Sequence, residues 1–382
     1  MGGKLMSDYL YKDMPKLGFG LMRLPTIPGG TQKDIDFDKV QEMVDLFMSR
    51  GFHYFDTAFV YHEGHSEDVI RKCLVPKYSR ESFQVVDKIP LWNVKGKEDY
   101  EEILKTELER TGLEYLDILF LHGIGTNTFP VIESSGGWEW LKSVKERGLA
   151  KHIGFSYHSP AAELDQLLDK HPEVEVVQLQ INYLDWDSEQ VQSRLCWEAC
   201  RKHNVAVTIM EPVKGGSLAN PHPDVAKLFK EADPDASIAS GAIRFAATLD
   251  GVITVLSGMT TLEQVEDNTR TVQNLKPLSE SDMAVIQKAV KAFNEIPLIP
   301  CTGCRYCVDG CPQKIQIPTM INFLNDYTKY QNGSGLARSY AMTTGRGGKA
   351  SDCVECHSCE DHCPQHLKIT EYMKKAAALF EG

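Results

Sequence analysis

Short runs of apolar residues recur over residues 1–300 and alternate with longer stretches whose apolar positions repeat every three or four residues. The short runs are rich in valine, isoleucine and phenylalanine, which is typical of strands that are buried on both faces of a parallel sheet. Eight such runs predict strands, over Lys16–Gly20, His53–Thr57, Phe83–Ile89, Leu116–His122, Lys151–Ser156, Val174–Ile181, Val205–Glu211 and Val252–Ser257.

The stretches between these strands have the period of amphipathic helices. They predict helices over Asp38–Arg50, Asp99–Thr111, Trp138–Arg147, Ala161–His171, Glu189–His203, Ser237–Leu249 and Leu262–Val272. Gly51, Gly112 and Gly148 each follow one of these helices and provide the left-handed residue that commonly ends a helix.

This alternation of strands and helices predicts a (β/α)8 TIM barrel. The alternative is a doubly wound open sheet, which should carry a G-x-G-x-x-G turn after its first strand. The corresponding segment, Gly18-Phe-Gly20-Leu-Met-Arg23, lacks the third glycine and opens no helix. The barrel is therefore the favoured interpretation.

The last eighty or so residues have a different pattern. Pro297 and Pro300 precede them, and we predict a barrel domain over residues 1–296 and a small, mainly helical domain over residues 297–382. Apolar helical patterns begin near Ile315 and Leu367. The segment between them, Gln331 to Ser351, is rich in glycine and serine and is predicted to be a flexible loop.

Two cysteine runs dominate this second domain, and both have the form C-x2-C-x2-C-x3-C-P. This is the ligand run of two-cluster ferredoxins, in which the fourth cysteine of each run binds the other cluster. The predicted ligand sets are Cys301, Cys304, Cys307 and Cys363 for one [4Fe–4S] cluster, and Cys353, Cys356, Cys359 and Cys311 for the other. Zinc usually takes two CxxC pairs without a Cys-Pro, and disulfides need an oxidising compartment, so both alternatives fit less well.

The composition of the chain argues against nucleic-acid and membrane partners. The formal net charge is −12, which argues against a nucleic-acid partner. No apolar stretch approaches the roughly 20 residues of a membrane-spanning helix, and no secretory segment is visible. We therefore expect a cytoplasmic protein without a membrane partner.

Candidate catalytic groups follow three neighbouring predicted strands, where active sites of TIM barrels lie. Asp56 and Tyr61 follow the second strand, Lys88 ends the third and His122 ends the fourth. An ammonium near a phenol favours the phenolate, so Lys88 is expected to lower the pKa of Tyr61. Tyr61 is then the predicted general acid or base, His122 orients a carbonyl oxygen and Asp56 holds Lys88.

These four residues, with Gly64-His65-Ser66-Glu67, resemble the catalytic tetrad and the G-x-S-E motif of the aldo/keto reductase superfamily. The resemblance extends over about residues 15–275, and the whole chain is similar to members that carry a C-terminal two-cluster ferredoxin domain. It implies a nicotinamide cofactor, NAD(P)H, across the open end of the barrel. Ser156 and Gln178 would contact its carboxamide, and Asp267 and Asn268 would lie near its adenine end.

The chain departs from that family at three places, the first of which is Ser156-Tyr157, where the family has a serine-asparagine pair. Met210 stands where an aromatic residue usually stacks on the nicotinamide. Gly258 and Gln264 stand where basic residues usually hold the 2′-phosphate of NADP, so the resemblance does not predict a preference for NADP. Lys214-Gly215-Gly216 remains a candidate phosphate-binding segment, because glycines allow close approach and Lys214 adds charge.

The leading hypothesis is an oxidoreductase that reduces a small carbonyl, or oxidises an alcohol, while the clusters relay electrons. The electrons would come from an external ferredoxin or another carrier, with NAD(P)H or a flavin as the two-electron cofactor. The alternative is an electron-transfer or redox-sensing iron–sulfur protein whose barrel is not an active NAD(P)H reductase. We also expect the cluster domain to lie near the open end of the barrel.

Overall fold

The computed structural model describes residues 14–125, 128–345 and 347–381. Its eight parallel strands form a closed barrel in chain order, in which β8 pairs with β1. The strands are β1 (Leu17–Gly20), β2 (Tyr54–Asp56), β3 (Gln84–Pro90), β4 (Leu116–Ile124), β5 (Ala150–Tyr157), β6 (Val176–Gln180), β7 (Ala206–Met210) and β8 (Val252–Ser257). The predicted TIM barrel is confirmed.

Buried side chains from neighbouring strands fill the barrel interior, including Tyr54, Phe120 and Val176. Gly154 on β5 shows how closely these strands approach each other. A Cβ atom at this position would lie 1.9 Å from the carbonyl oxygen of Val176 and 2.9 Å from the ring of Phe120. Only glycine fits at such a distance, so Gly154 permits the pairing of β5 with β6.

Helices connect the strands. Those that precede residue 280 are α1 (Phe37–Ser49), α2 (Glu67–Val69, continued by a π-helical turn over Ile70–Leu74), α3 (Lys97–Thr111), α4 (Phe129–Ser135), α5 (Gly137–Glu146), α6 (Ala161–Lys170), α7 (Ser193–Lys202), α8 (Pro223–Ala232), α9 (Ile238–Ala247) and α10 (Leu262–Gln273). The sequence pattern predicted neither α2, α4 nor α8. In α4 and α8 a proline occupies the first turn, where it is compatible with a helix although it resembles a break.

The chain forms two compact units. One contains the chain up to Val213 together with Ser240–Ser279, and the other contains Lys214–Ala239 together with the chain from Glu280 onward. All eight strands belong to the first unit. In the second unit α8 packs against α11 (Glu280–Glu295). This division assigns Lys214–Ala239 to the second unit, and the domain boundary between residues 296 and 297 stays a prediction.

The remaining helices of the second unit are α12 (Tyr306–Asp309), α13 (Ile317–Tyr330), α14 (Gly333–Thr344), α15 (Ser358–Asp361) and α16 (Ile369–Phe380). Their arrangement repeats within the unit: each cysteine run contains one short helix and is followed by one long helix. The long helices α13 and α16 pack against each other around a buried apolar core that includes Ile317, Met320, Ile369 and Met373.

The prediction of a flexible loop over residues 331–351 is wrong, because this segment contains α14. The side chain of Asn332 caps the helix by accepting a hydrogen bond from Gly335 N–H. Tyr340 is almost fully buried, its ring lies 5.4 Å from that of Phe380, and its hydroxyl accepts a hydrogen bond from Ala350 N–H. The glycines fall mainly near the helix ends, so their low helix propensity is offset by the cap and by the packing of Tyr340.

Candidate functional site

A fully buried ion pair lies at the centre of the candidate site. The ammonium of Lys88 on β3 lies 2.6 Å from Asp56 Oδ1 and donates a second hydrogen bond to the carbonyl oxygen of Thr57, also at 2.6 Å. The other carboxylate oxygen of Asp56 accepts a hydrogen bond from Gln178 Nε2 at 3.1 Å. Burial acts to lower the pKa of Lys88, but Asp56 and Tyr61 outweigh it and the pKa is raised. Lys88 is therefore held as an ammonium ion.

Tyr61 and His122 lie beside this ion pair. Tyr61 begins a 3-10 turn in the loop that follows β2, and the Lys88 ammonium lies 4.9 Å from the centroid of its ring. The ring of His122, near the end of β4, meets that of Tyr61 edge-on with 5.9 Å between centroids. Trp92 is 56% exposed, and its ring centroid lies 5.0 Å from that of His122. The structure thus brings the four predicted catalytic residues together.

Among these groups, Tyr61 has a pKa that differs from the expectation. Burial raises the pKa of the Tyr61 phenol, and the opposing effect of Lys88 does not overcome it. The predicted net lowering of this pKa is therefore wrong, because it ignored the cost of placing a phenolate away from water. Burial and the nearby Lys88 lower the pKa of His122 to about 3, so its imidazole is neutral. Tyr61 is consequently a neutral phenol at physiological pH.

Sequence reasoning missed a cluster of buried acids on the opposite face of β3. Glu67, Asp87 and Glu107 have no exposed surface, and their carboxylate oxygens lie within 4.8 Å of one another. Arg110 forms an ion pair with Glu67 at 2.8 Å, and Lys88 N–H donates to Asp87. Neither carboxylate oxygen of Glu107 has a hydrogen-bond partner among the described residues. Alternation along β3 was the available signal, since Asp87 and Lys88 must face opposite sides.

Burial raises the pKa of each acid in this cluster, and repulsion by neighbouring acids of the cluster adds to the increase for Asp87 and Glu107. The pKa of Glu67 rises from 4.5 to about 7, although Arg110 opposes the change, and those of Asp87 and Glu107 lie well above their usual range. Because folding raises the pKa of these carboxyl groups, their protonation stabilises the folded state. This stabilisation is fully present below the unfolded-state pKa and is lost as the pH rises through the folded-state pKa. The folded protein should therefore lose stability between about pH 4.5 and pH 7.

We predict that Glu107→Gln weakens this pH dependence. Glutamine has nearly the same shape but cannot ionise, so the repulsion at neutral pH is reduced. The free energy of unfolding, measured at pH 5 and pH 8, should differ less in the variant than in the original protein. Glu109→Gln on the exposed side of the same helix is the control, and equal pH dependence in all three proteins would contradict the prediction.

The residues predicted to contact a cofactor occupy several strand ends. Ser156 Oγ accepts a hydrogen bond from Gly123 N–H at 2.8 Å, directly after His122. Gln178 donates a hydrogen bond to Asp56 and therefore contacts the ion pair directly. Met210 is half-buried at the end of β7. Asn268 on α10 is buried and donates to Ser257 Oγ at 2.9 Å, which ties α10 to the end of β8.

Three further candidates lie on exposed or separate segments. Asp267 accepts a hydrogen bond from Arg270 at 2.9 Å, and Gln264 Oε1 accepts one from Thr260 N–H at 2.7 Å. Gly258 is exposed just after β8. Lys214 belongs to the second compact unit, where its ammonium lies 5.9 Å from the centroid of the Tyr330 ring. The roles of these residues in cofactor binding therefore stay predictions.

The eight cysteines of the two runs line two cavities in the second unit. One cavity of about 320 Å³ is lined by Cys301, Cys304, Cys307 and Cys363. The other, of about 340 Å³, is lined by Cys311, Cys353, Cys356 and Cys359. Each group combines three cysteines of one run with the last cysteine of the other run, as the ligand spacing predicted. Four convergent thiols around a cavity fit a [4Fe–4S] cluster.

A closed parallel barrel with an ion pair, a phenol and an imidazole at neighbouring strand ends defines a TIM-barrel enzyme, here joined to a cysteine-rich cluster-binding domain. Residues 16–291 match the model of the aldo/keto reductase family, and residues 300–367 match that of the 4Fe-4S dicluster domain. The chain therefore belongs to the aldo/keto reductase family of oxidoreductases and carries an iron–sulfur domain. The resemblance inferred from the sequence is confirmed.

Individual relatives are distant. The chain is 26% identical over 212 residues to probable aldo-keto reductase 1 of Glycine max, a match that covers 53% of this chain and 57% of the relative. It is 23% identical over 307 residues to the uncharacterized oxidoreductase YqkF of Bacillus subtilis, covering 73% and 94% respectively. The match to the soybean protein thus spans little more than half of that relative's length.

Solved structures share the barrel. Aldo-keto reductase AKR11C1 from Bacillus halodurans in its holo form superposes with a TM-score of 0.59 at 26% identity, covering 72% of this chain and 91% of that one. An aldo-keto reductase from Klebsiella pneumoniae in complex with NADPH also gives a TM-score of 0.59, at 18% identity, covering 72% and 90%. In the described part of this chain, no helix is both long and apolar enough to cross a membrane.

Proposed function

We propose that this protein reduces a small aldehyde or ketone to an alcohol, with Tyr61 as the proton donor and a nicotinamide dinucleotide as the source of hydride. The observation that carries the proposal is the buried Lys88–Asp56 ion pair beside the rings of Tyr61 and His122. A nicotinamide is proposed rather than a flavin because of the family to which the chain belongs.

Each residue has a definite role in this proposal. Tyr61 donates its proton to the carbonyl oxygen as negative charge develops there, and its raised pKa keeps the phenol protonated beforehand. Lys88 stabilises the resulting phenolate, and Asp56 keeps Lys88 charged and in place. His122 is neutral, so it orients the carbonyl by a hydrogen bond without adding charge. Because Tyr61 is protonated at neutral pH, it is in the state that carbonyl reduction requires, whereas alcohol oxidation would require the phenolate.

Ser156 and Gln178 are the residues that would hold the nicotinamide carboxamide, because both lie among the polar groups around Asp56 and His122. When bound, the dinucleotide supplies hydride, whereas the iron–sulfur clusters exchange single electrons. The eight cysteines would hold the clusters in the two cavities. Cys304 and Cys356 are the exposed members of their sets. These exposed positions suit electron exchange with an external one-electron carrier such as a ferredoxin.

The test is anaerobic reconstitution of the full chain with iron and sulfide, followed by nucleotide binding and turnover. NADPH or NADH oxidation should depend on an added small aldehyde or ketone. If neither nucleotide binds while the clusters are reduced by a ferredoxin, the alternative of an electron-transfer or redox-sensing protein is favoured instead. If a nucleotide binds but no carbonyl compound is reduced, the assigned role of Tyr61 fails.

The crossed ligand sets lead to a prediction about paired substitutions. Cys301→Ser combined with Cys363→Ser should remove one cluster, since both cysteines line the same cavity. Cys301→Ser combined with Cys311→Ser should damage both clusters, since these cysteines line different cavities. Iron content should therefore fall by about half in the first variant and further in the second.

Iron analysis and EPR of the dithionite-reduced proteins measure this outcome. Cys73→Ala, outside both runs, is the control and should keep the full iron content. If the Cys301/Cys311 pair instead loses only one cluster, each run binds its own cluster and the crossed assignment is wrong.

A further inference from the structure

The two cysteine runs are equivalent halves of a repeat, so their cavities can be compared position by position. We call the cavity lined by Cys301 cavity 1 and the cavity lined by Cys353 cavity 2. Arg305 and His357 each follow the second cysteine of a run, have a left-handed backbone and line cavity 1 and cavity 2 respectively. The guanidinium of Arg305 donates a hydrogen bond to Gln316 Oε1 at 2.9 Å. Because this acceptor is neutral, Arg305 keeps a positive charge at the wall of cavity 1.

Glu360 places a negative charge beside cavity 2. It follows Cys359, and the equivalent position of the first run is occupied by Val308, which packs against the apolar core of the unit. The carboxylate of Glu360 accepts hydrogen bonds from the N–H and the hydroxyl of Thr370, at 2.8 and 2.7 Å, and from His357 Nδ1 at 3.1 Å. Both donor residues line cavity 2. Hydrogen bonds from three donors favour the ionised form of a carboxyl group, so a fixed negative charge lies where the first run has an apolar side chain.

Thr370 does not offset this charge with hydrogen bonds to a cluster. Donors directed at cluster sulfur atoms are one of the features that set the potential of a cluster. Both donors of Thr370, its N–H and its hydroxyl, are already bound to Glu360. Pro318 occupies the equivalent position in cavity 1 and has no N–H to donate. Charge is therefore the difference between the two cavities at these positions.

We propose that the cluster in cavity 1 has the higher reduction potential, so that Arg305 and Glu360 fix the order in which the two clusters accept electrons. Reduction of a [4Fe–4S]²⁺ cluster to the 1+ state adds one electron, and the negative charge that it adds is stabilised by a nearby cation and opposed by a nearby carboxylate. An external one-electron carrier, such as a reduced ferredoxin, supplies each electron and is itself oxidised. The first electron is then held beside Arg305 and the second beside Glu360. This inference rests on the cluster binding in the proposed function and not on carbonyl reduction.

The test is an anaerobic redox titration of the reconstituted full chain, followed by EPR. The original protein should show two one-electron steps. Arg305→Gln should lower the upper potential alone, and Glu360→Gln should raise the lower potential alone. Each substitution should change the ratio of reduced to oxidised cluster at a fixed potential by about 3–10-fold, where tenfold corresponds to about 59 mV for a one-electron couple. Glu231→Gln, which removes an exposed acid of α8 that pairs with Lys227, is the control and should move neither potential.

A paired cysteine variant assigns the two potentials independently. Cys301→Ser combined with Cys363→Ser keeps only the cluster of cavity 2, so it should show the lower potential alone. Survival of the upper potential in this variant would overturn the inference.

The other contrary outcomes are equally distinct. Equal potentials for the two clusters of the original protein would overturn the inference, and so would charge variants that leave both potentials unchanged. Iron content shows whether each variant keeps its clusters, and if Glu360→Gln loses one, Arg305→Gln and the paired cysteine variant still decide the order. If the original protein binds no cluster, the iron–sulfur part of the proposed function fails and this inference fails with it. Two separate potentials, assigned as proposed, in a protein that reduces no carbonyl compound would support this inference while the proposed reductase fails.

Discussion

Replacing Tyr61 with phenylalanine is expected to lower kcat for carbonyl reduction by about 10²–10⁴-fold, the usual contribution of a positioned general acid. The substitution removes the proton that the carbonyl oxygen must accept and keeps the ring beside Lys88 and His122. Nucleotide affinity should therefore stay the same. Steady-state kinetics with a small aldehyde, together with NADPH titration, separate these two effects.

Tyr78→Phe is the matched control, because it removes a hydroxyl that hydrogen-bonds Asp45 at 2.6 Å on the helical layer. Its kcat should match that of the original protein. A Tyr61→Phe variant that keeps more than about a tenth of the activity would show that another group or water donates the proton. The pH profile is a second check, since burial raises the pKa of Tyr61 and reduction should decline only at alkaline pH.

The sequence was sufficient to predict the barrel because its parallel strands are buried on both faces and stand out as apolar runs. The observed β8 has the predicted bounds, and no end of the other strands differs from its predicted position by more than two residues. Helix α14 was missed because its stability comes from Asn332 and from the packing of Tyr340 on Phe380, which local composition does not reveal. Tertiary contacts outweighed propensity there.

The residues of the candidate site could be predicted from the sequence, but the direction of their pKa shifts could not. Chain order alone places Asp56, Lys88 and His122 on neighbouring strands of a barrel. The direction of the Tyr61 pKa depends on how deeply the phenol is buried, and burial is a property of the closed fold.

Replacing Lys88 with methionine is expected to abolish measurable reduction and also to destabilise the protein by about 3–5 kcal/mol. Lys88 has no exposed surface, and among the described residues its ammonium is the one cation that pairs with Asp56, at 2.6 Å. Methionine fills a similar volume but leaves the buried carboxylate without its counter-charge. Chemical denaturation monitored by circular dichroism measures the loss of stability.

The double variant Asp56→Asn with Lys88→Met separates the structural role of the pair from its chemical role. Once both charges are removed, no unpaired charge remains buried, so most of the lost stability should return. In the original protein Gln178 donates a hydrogen bond to Asp56, and the side-chain oxygen of an asparagine at this position can accept the same bond. Activity should not return, because the phenolate of Tyr61 would still lack a neighbouring ammonium. Recovery of both stability and activity would mean that Lys88 serves only to neutralise Asp56 and takes no part in the proton transfer.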